Sequence, residues 1–384
     1  MSLLARRRLA EEETRTRGGA YLRARITKGE DVMQRRLTAA LALGLWSCGG
    51  GGGATDAGAD TTAAQDTTAA PATGVADTGA QDTTAPQDTA PPLDTPPPTD
   101  AGLRPGNNDR AMTFGGRART YILHVPMSYR PGVALPLVLA YHGGNGTARN
   151  FAGRGFSEEA DRRGFLVAYP QGVGAPGEPT GTWNAMHCCG VAFTTQVDDV
   201  GFTRALVADI AGVVTVDRRR VYATGHSNGA MFSHRLAAEA PDLVAAFGVY
   251  AGTIGGRDSP METMDRVPPS PATPVPALLI HGRLDTHVPY DGGHGPEAAG
   301  MRVDLPLSRS ASFWVSADGC GATPMTAMAP GGAATRDSYP GCRAGSALQV
   351  VSLARGTHSW PTTAADNFDA TGAITDFVLG FTHP

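Results

Sequence analysis

Gly225-His226-Ser227-Asn228-Gly229 sets a serine between two glycines at the spacing of a nucleophile elbow. Such a turn lifts a hydroxyl out of a sheet for attack on an ester carbonyl. The stretch from Arg220 to Thr224 is β-prone, and residues 230–240 favour a helix that stops at Pro241. Strand, tight turn and helix are the context the motif needs. A serine held in a strained backbone needs small neighbours, which Gly225 and Gly229 supply. The following helix aims free N–H groups and its positive dipole end at developing negative charge. The backbone N–H of Asn228 is therefore an expected oxyanion donor. The alternative is an ordinary glycine turn carrying an exposed serine.

A serine hydroxyl needs a base within hydrogen-bond reach, and the base needs an orienting acid. In the α/β-hydrolase pattern these follow in the order Ser, then Asp or Glu, then His. Asp285 closes a strand-like run from Val275 and is the expected acid; Asp258, Asp291 and Asp304 directly follow no strand pattern. His358 sits on a loop opened by Gly356, after the run from Leu348 to Leu353, and is the expected base. His287 and His294 lie too close in sequence to Asp285 to be its partner, and His226 is expected to point away from the nucleophile. His142-Gly143-Gly144-Asn145-Gly146 has the form of a loop that donates a second oxyanion N–H, from Gly143 or Gly144. Such chemistry requires no metal or organic cofactor. The adjacent carboxylates Asp198 and Asp199 suit the N-terminus of a helix better than metal or acid–base work.

These residues need a rigid frame. Residues 120–125, 135–141, 164–169, 220–224, 246–250, 275–280 and 348–353 read as strands. Several are continuous apolar runs suited to burial on both faces of a parallel sheet. Helices fit 199–214, where Val200, Thr203, Leu206, Val207, Ile210 and Val214 share a face, and also 307–317 and 374–381. The alternation predicts an α/β fold, a mostly parallel sheet flanked by helices, over residues 104–384.

The rest of the 384-residue chain differs in composition. Residues 1–32 are charged and aperiodic, and read as a spurious upstream extension, with translation starting at Met33. Residues 33–48 run from basic through apolar to Ser47-Cys48, the order of a secretory signal. Leu45-Trp46-Ser47-Cys48 resembles a lipobox, apart from the bulky Trp46. Lipidation of Cys48 would tether the chain to a membrane surface; the alternative is plain secretion. Residues 49–103 are rich in Gly, Thr, Ala, Asp and Pro and nearly lack large apolar side chains, which predicts a disordered stalk. The net charge of −4 and the single lysine, Lys28, offer no basic stripe for nucleic acid. Cys188, Cys189, Cys320 and Cys342 form an even set that suits two disulfides in an exported domain, with three connectivities open. Adjacent cysteines are not expected to bridge each other, and no Cys-x-x-Cys spacing favours zinc.

Taken together, the His142 glycine loop, Thr182-Trp183-Asn184 with Cys188-Cys189-Gly190, and residues 197–202 and 220–231 resemble the poly(3-hydroxybutyrate) depolymerase family. Val288-Pro289-Tyr290 with Gly292-Gly293, and His358-Ser359-Trp360-Pro361, add to the likeness. That family is similar to feruloyl and acetylxylan esterases. The resemblance covers nearly all of 104–384. It implies an α/β-hydrolase fold with Ser227, Asp285 and His358 as triad, acting on a polyester, an oligomer or a polysaccharide ester. Arg283 and Thr357 depart from the pattern. Trp183, Trp360, Tyr141 and Tyr290 are candidate walls of an acyl pocket. A rival from another class is a non-catalytic, surface-tethered binding protein on the same fold.

Overall fold

From Leu135 to Tyr141 alternate side chains enter two different buried layers. Leu137, Leu139 and Tyr141 join one apolar cluster, and Val138 and Ala140 join the other. That is the signature of a strand covered on both faces. The computed structural model describes residues 102–329 and 332–383. The expectations for the upstream extension, the signal, Cys48 and most of the stalk lie outside these residues.

The strands are β1 (Gly106–Phe114), β2 (Arg117–Val125), β3 (Leu135–Tyr141), β4 (Leu166–Pro170), β5 (Val216–His226) and β6 (Ala246–Tyr250). They continue with β7 (Gly256–Arg257), β8 (Ala277–Gly282), β9 (Val303–Asp304), β10 (Met325–Met328), β11 (Ala334–Tyr339) and β12 (Leu348–Leu353). Ten of them form one sheet in the order β1-β2-β4-β3-β5-β6-β8-β12-β11-β10. The stretch from β4 to β12 is parallel throughout. Antiparallel strands close both edges. β7 and β9 pair separately.

Helices α1 (Ala148–Ala152), α2 (Phe156–Arg163), α3 (Gly190–Thr194) and α4 (Asp199–Ala211) precede α5 (Asn228–Glu239), α6 (Leu307–Asp318), α7 (Thr363–Asp366) and α8 (Ala370–Val378). Phe202, Leu206 and Ile210 of α4, Met231 and Leu236 of α5, and Trp314 of α6 pack on one sheet face. Phe151, Phe156, Ala160 and, from α8, Ala370, Ile374 and Val378 cover the other. Each buried Leu, Ile or Phe stabilises the fold by about 1.5–3 kcal/mol. The expected α/β fold with a mostly parallel sheet is what the chain adopts.

Two expectations need correction. Asp198 caps α4 by accepting from the Gly201 N–H, as anticipated, but Asp199 does more than favour a helix dipole. It is fully buried and ion-paired with Arg119 at 2.9 Å, and it accepts from the Asn184 N–H. Burial pushes its pKa up and the Arg119 charge opposes that. The adjacent Cys188 and Cys189 also pair with each other, against expectation, while Cys320 pairs with Cys342 across a separation of 22 residues. The 188–189 peptide is cis, which sets the two Cα atoms 3.1 Å apart.

Candidate active site

β5 ends at His226 and α5 begins at Asn228, so Ser227 is the whole turn between them. Its φ of 55° and ψ of −121° lie where few side-chain-bearing residues are found. Two close approaches hold it there. A Cβ on Gly225 would meet the Gly229 carbonyl carbon at 2.4 Å, and one on Gly229 would meet the Tyr141 carbonyl oxygen at 2.2 Å. Only glycine lets helix and strands come this near.

Asp285 follows β8 and His358 follows β12, parallel neighbours in the sheet. Their loops touch where Gly282 faces Gly356. The Ser227 hydroxyl stands 3.0 Å from His358 Nε2, and His358 Nδ1 donates to Asp285 Oδ2 at 2.8 Å. Asp285 Oδ1 accepts from the His287 and Val288 N–H groups, both at 2.9 Å. Burial raises the Asp285 pKa. Hydrogen bonding from the His281 and His358 rings and the Val288 N–H outweighs it and holds the carboxyl well below the usual range. Asp285 is thus anionic at neutral pH and fixes the tautomer that leaves Nε2 free to accept a proton.

The loop after β3 faces the serine. His142 Nε2 accepts from the Gly172 N–H at 2.9 Å, so Nδ1 carries the proton and donates to the Gly143 carbonyl at 2.8 Å. Burial lowers the His142 pKa to about 4, so the ring is neutral. The Gly143 carbonyl also accepts from the Gly146 N–H. In a trans peptide N–H and C=O point opposite ways, so the Gly144 N–H is turned away from this internal anchor. The Asn228 N–H heads α5 and has no partner within the helix.

A cleft of about 640 Å³ opens over these groups. His142, Gly143, Gly144, Ser227, Asn228 and His358 line it, as do Cys188 and Cys189. None of the four aromatic residues expected as walls does so. Trp183 and Tyr141 are in the core, Trp183 donating its indole N–H to the His142 carbonyl and Tyr141 bonded to Thr203. Trp360 donates to Thr371, and the Tyr290 hydroxyl bonds Ser352. Large size made them plausible walls, but each polar tip has a partner within the fold.

Two further histidines sit against His358. His226 is turned to the base loop rather than bonded to Ser227: its Nε2 donates to the His358 carbonyl at 2.7 Å. Burial and the nearby His358 lower its pKa to about 3, against the opposing effect of that bond, with Arg154 adding to the lowering. His287 lies parallel to His358 with ring centroids 4.5 Å apart. Asp285, His287 and His358 each place one donor atom within 4.8 Å of the others, the one group among the described residues that could gather a metal ion. Sequence order could not place His287, because it reaches its neighbour across 71 residues of chain (358 minus 287).

This sheet order, with an elbow at the end of a central strand and acid and base after two later strands, defines an α/β-hydrolase. Residues 120–292 match the esterase family described as PHB depolymerase. NocK of Nocardia uniformis subsp. tsuyamanensis is 31% identical over 266 residues, 66% of this chain and 73% of that protein. The chain belongs to the PHB-depolymerase esterase family. Feruloyl esterase B of Piromyces equi is 28% identical over 243 residues, 63% of this chain but only 42% of that protein. An acetylxylan esterase of Coprinopsis cinerea is 36% identical over 129 residues, 33% of this chain and 32% of that protein. Among solved structures, an acetyl xylan esterase from Aspergillus awamori aligns with a TM-score of 0.44 and 18% identity, over 69% of this chain and 99% of its own.

Proposed function

We propose that the protein is a serine carboxylic ester hydrolase in which Ser227, His358 and Asp285 carry the reaction. The observation behind this is the unbroken relay from the Ser227 hydroxyl through both His358 nitrogens to Asp285, at the floor of an open cleft. Ser227 Oγ attacks the ester carbonyl while His358 Nε2 takes its proton. The oxyanion is held by the N–H groups of Asn228 and, of the two glycines left open by the sequence, Gly144 rather than Gly143. His358 then protonates the departing alcohol, and water releases the acyl group by the reverse sequence. The substrate is a polyester or its oligomers, as in the family's name. The named relatives favour a second substrate, feruloyl or acetyl esters on plant polysaccharide. A signal-like segment ending at Cys48 supports action outside the cytosol, on a lipid anchor or as a secreted enzyme.

Short-chain p-nitrophenyl esters and a fluorophosphonate probe test this together. Wild type hydrolyses the ester and labels at Ser227. Ser227→Ala loses both, with turnover down by about 10⁴-fold or more. Wild-type protein that folds but neither turns over nor labels is instead the non-catalytic binding protein. Polyhydroxybutyrate film, methyl ferulate and acetylated xylan, compared side by side, separate the substrates.

A further inference from the structure

The cleft carries a cation that the hydrolytic relay does not use. Arg154 lines it on the wall shared by Asn150, Phe151 and His226. The side chain is exposed, and no carboxylate pairs with it among the described residues. The other charges lining the cleft are matched. Arg302 grips both Asp304 oxygens at 3.0–3.1 Å and donates to the His287 carbonyl. Asp258 stands 3.9 Å from the Arg266 guanidinium.

The backbone under Arg154 is fixed. Its N–H donates to the Phe151 carbonyl at 3.0 Å, and its carbonyl accepts from the Thr371 hydroxyl at 2.5 Å. That same hydroxyl accepts from the Trp360 indole, two residues past His358. The base loop and the arginine are thus tied to one threonine. The guanidinium is also near enough to His226 to help lower its pKa. A forked donor lining the same cleft as the reacting serine, on an anchored backbone and with no carboxylate partner among the described residues, suits a bidentate carboxylate.

We propose that Arg154 binds a carboxylate carried by the substrate, so that the preferred esters are anionic ones, with Asn150 beside it as a second, neutral donor. This rests on the serine esterase reading and narrows its substrate class. The carboxylate can sit on the acyl side or on the alcohol side of the scissile bond. A hydroxy-acid oligomer with a free acid end and a polysaccharide ester with a neighbouring uronic acid both present one.

The test has two arms. On the acyl side, p-nitrophenyl hemiglutarate is compared with p-nitrophenyl valerate. On the alcohol side, the butyryl ester of 3-hydroxybutyric acid is compared with that of its methyl ester. The readout is the ratio of kcat/KM on the anionic ester to that on its neutral partner. In Arg154→Gln that ratio falls about tenfold in at least one arm, through KM, and the loss shrinks at high salt. Arg154→Lys keeps part of the preference. A fall of less than threefold in both arms overturns the proposal. If wild type hydrolyses no ester in either arm, the esterase reading has failed instead. Because each variant serves as its own control, a loss of folded protein cannot imitate the result.

Discussion

Gly229→Ala tests whether the elbow works through backbone proximity. The added Cβ would lie 2.2 Å from the Tyr141 carbonyl oxygen and 2.5 Å from that of His142, with no side chain able to yield. A relaxed carbon–oxygen contact needs about 3.2 Å or more, so the head of α5 must retreat from β3 by about 1 Å. The retreat carries Ser227 and the Asn228 N–H away from the His142 loop. A misplacement of that size costs about 10²-fold in rate, and the crowding costs about 1–3 kcal/mol in stability. Gly144→Ala is the matched control. Its Cβ would meet the Asn228 Cβ at 3.6 Å, an ordinary contact, and the backbone N–H survives. Steady-state turnover of p-nitrophenyl butyrate, with thermal unfolding of the same samples, reads both effects. Expected are a hundredfold loss of kcat and a lower Tm for Gly229→Ala, and a change within about threefold for Gly144→Ala. If Gly229→Ala keeps wild-type kcat and Tm, close approach is not why glycine stands there.

Three other outcomes follow from buried charge. Arg119→Met strands the Asp199 carboxylate and destabilises the fold by about 3–5 kcal/mol in urea titration; replacing Asp199 with Leu as well recovers part of that, and a double variant no better than the single one contradicts it. Burial, against hydrogen bonds from Ser346 and the Val275 N–H, raises the Asp318 pKa to about 6. An acid raised above its unfolded value loses stability as pH climbs from about 4 through 6, so Asp318→Asn is more stable than wild type by about 3 kcal/mol at pH 8 and equal to it near pH 4. Burial lowers the pKa of His142 to about 4 and of His234 to about 3. The unfolded chain then binds the extra protons below about pH 6.5, so these two rings together lower the unfolding free energy by about 4 kcal/mol between pH 7 and pH 5, and His226 adds to it in the same sense; a flat profile across that range argues against neutral buried rings.

The chemistry was more legible than its surroundings. Ser227 announces itself because an elbow needs residues in sequence, a glycine on each side and a strand and a helix at either end. Asp285 and His358 could be picked out because an α/β sheet delivers functional groups at the carboxyl ends of strands, and apolar runs mark those strands. The β10–β11 hairpin left no such trace: β10 is exposed along its whole length and so carries no burial pattern. Helix α2 was passed over because five of its eight residues are charged and only Phe156 and Ala160 are apolar, too few to mark a face. The neighbours of His358 were hidden for a different reason. His226 ends β5, His287 lies on the loop after β8 and His358 on the loop after β12, and no local pattern encodes their meeting.

The aromatic residues show where residue type misleads. Trp183 looks like a pocket wall, yet it joins the residue after Ser227 to the His142 loop, the two segments proposed to hold the oxyanion. Its backbone N–H donates to Asn228 Oδ1 at 2.8 Å, and its carbonyl accepts from Asn228 Nδ2 at 2.9 Å. Its indole donates to the His142 carbonyl at 3.0 Å, while its ring stacks on Phe232 of α5. One buried residue thus grips the residue after the nucleophile with its backbone and the glycine loop with its side chain. Asp199, accepting from the Asn184 N–H, pins the next residue in turn. The Thr182-Trp183-Asn184 and Val197-Asp198-Asp199 motifs, which the sequence suggested as a pocket wall and a helix N-terminus, are therefore one scaffold. It sets the distance between the head of α5 and the loop after β3, the two places from which N–H donors are proposed to meet a single oxygen atom. Substrate choice then falls to what lines the open cleft: the glycine loop, the Cys188–Cys189 pair, the 299–302 segment and Arg154, with which no carboxylate pairs among the described residues.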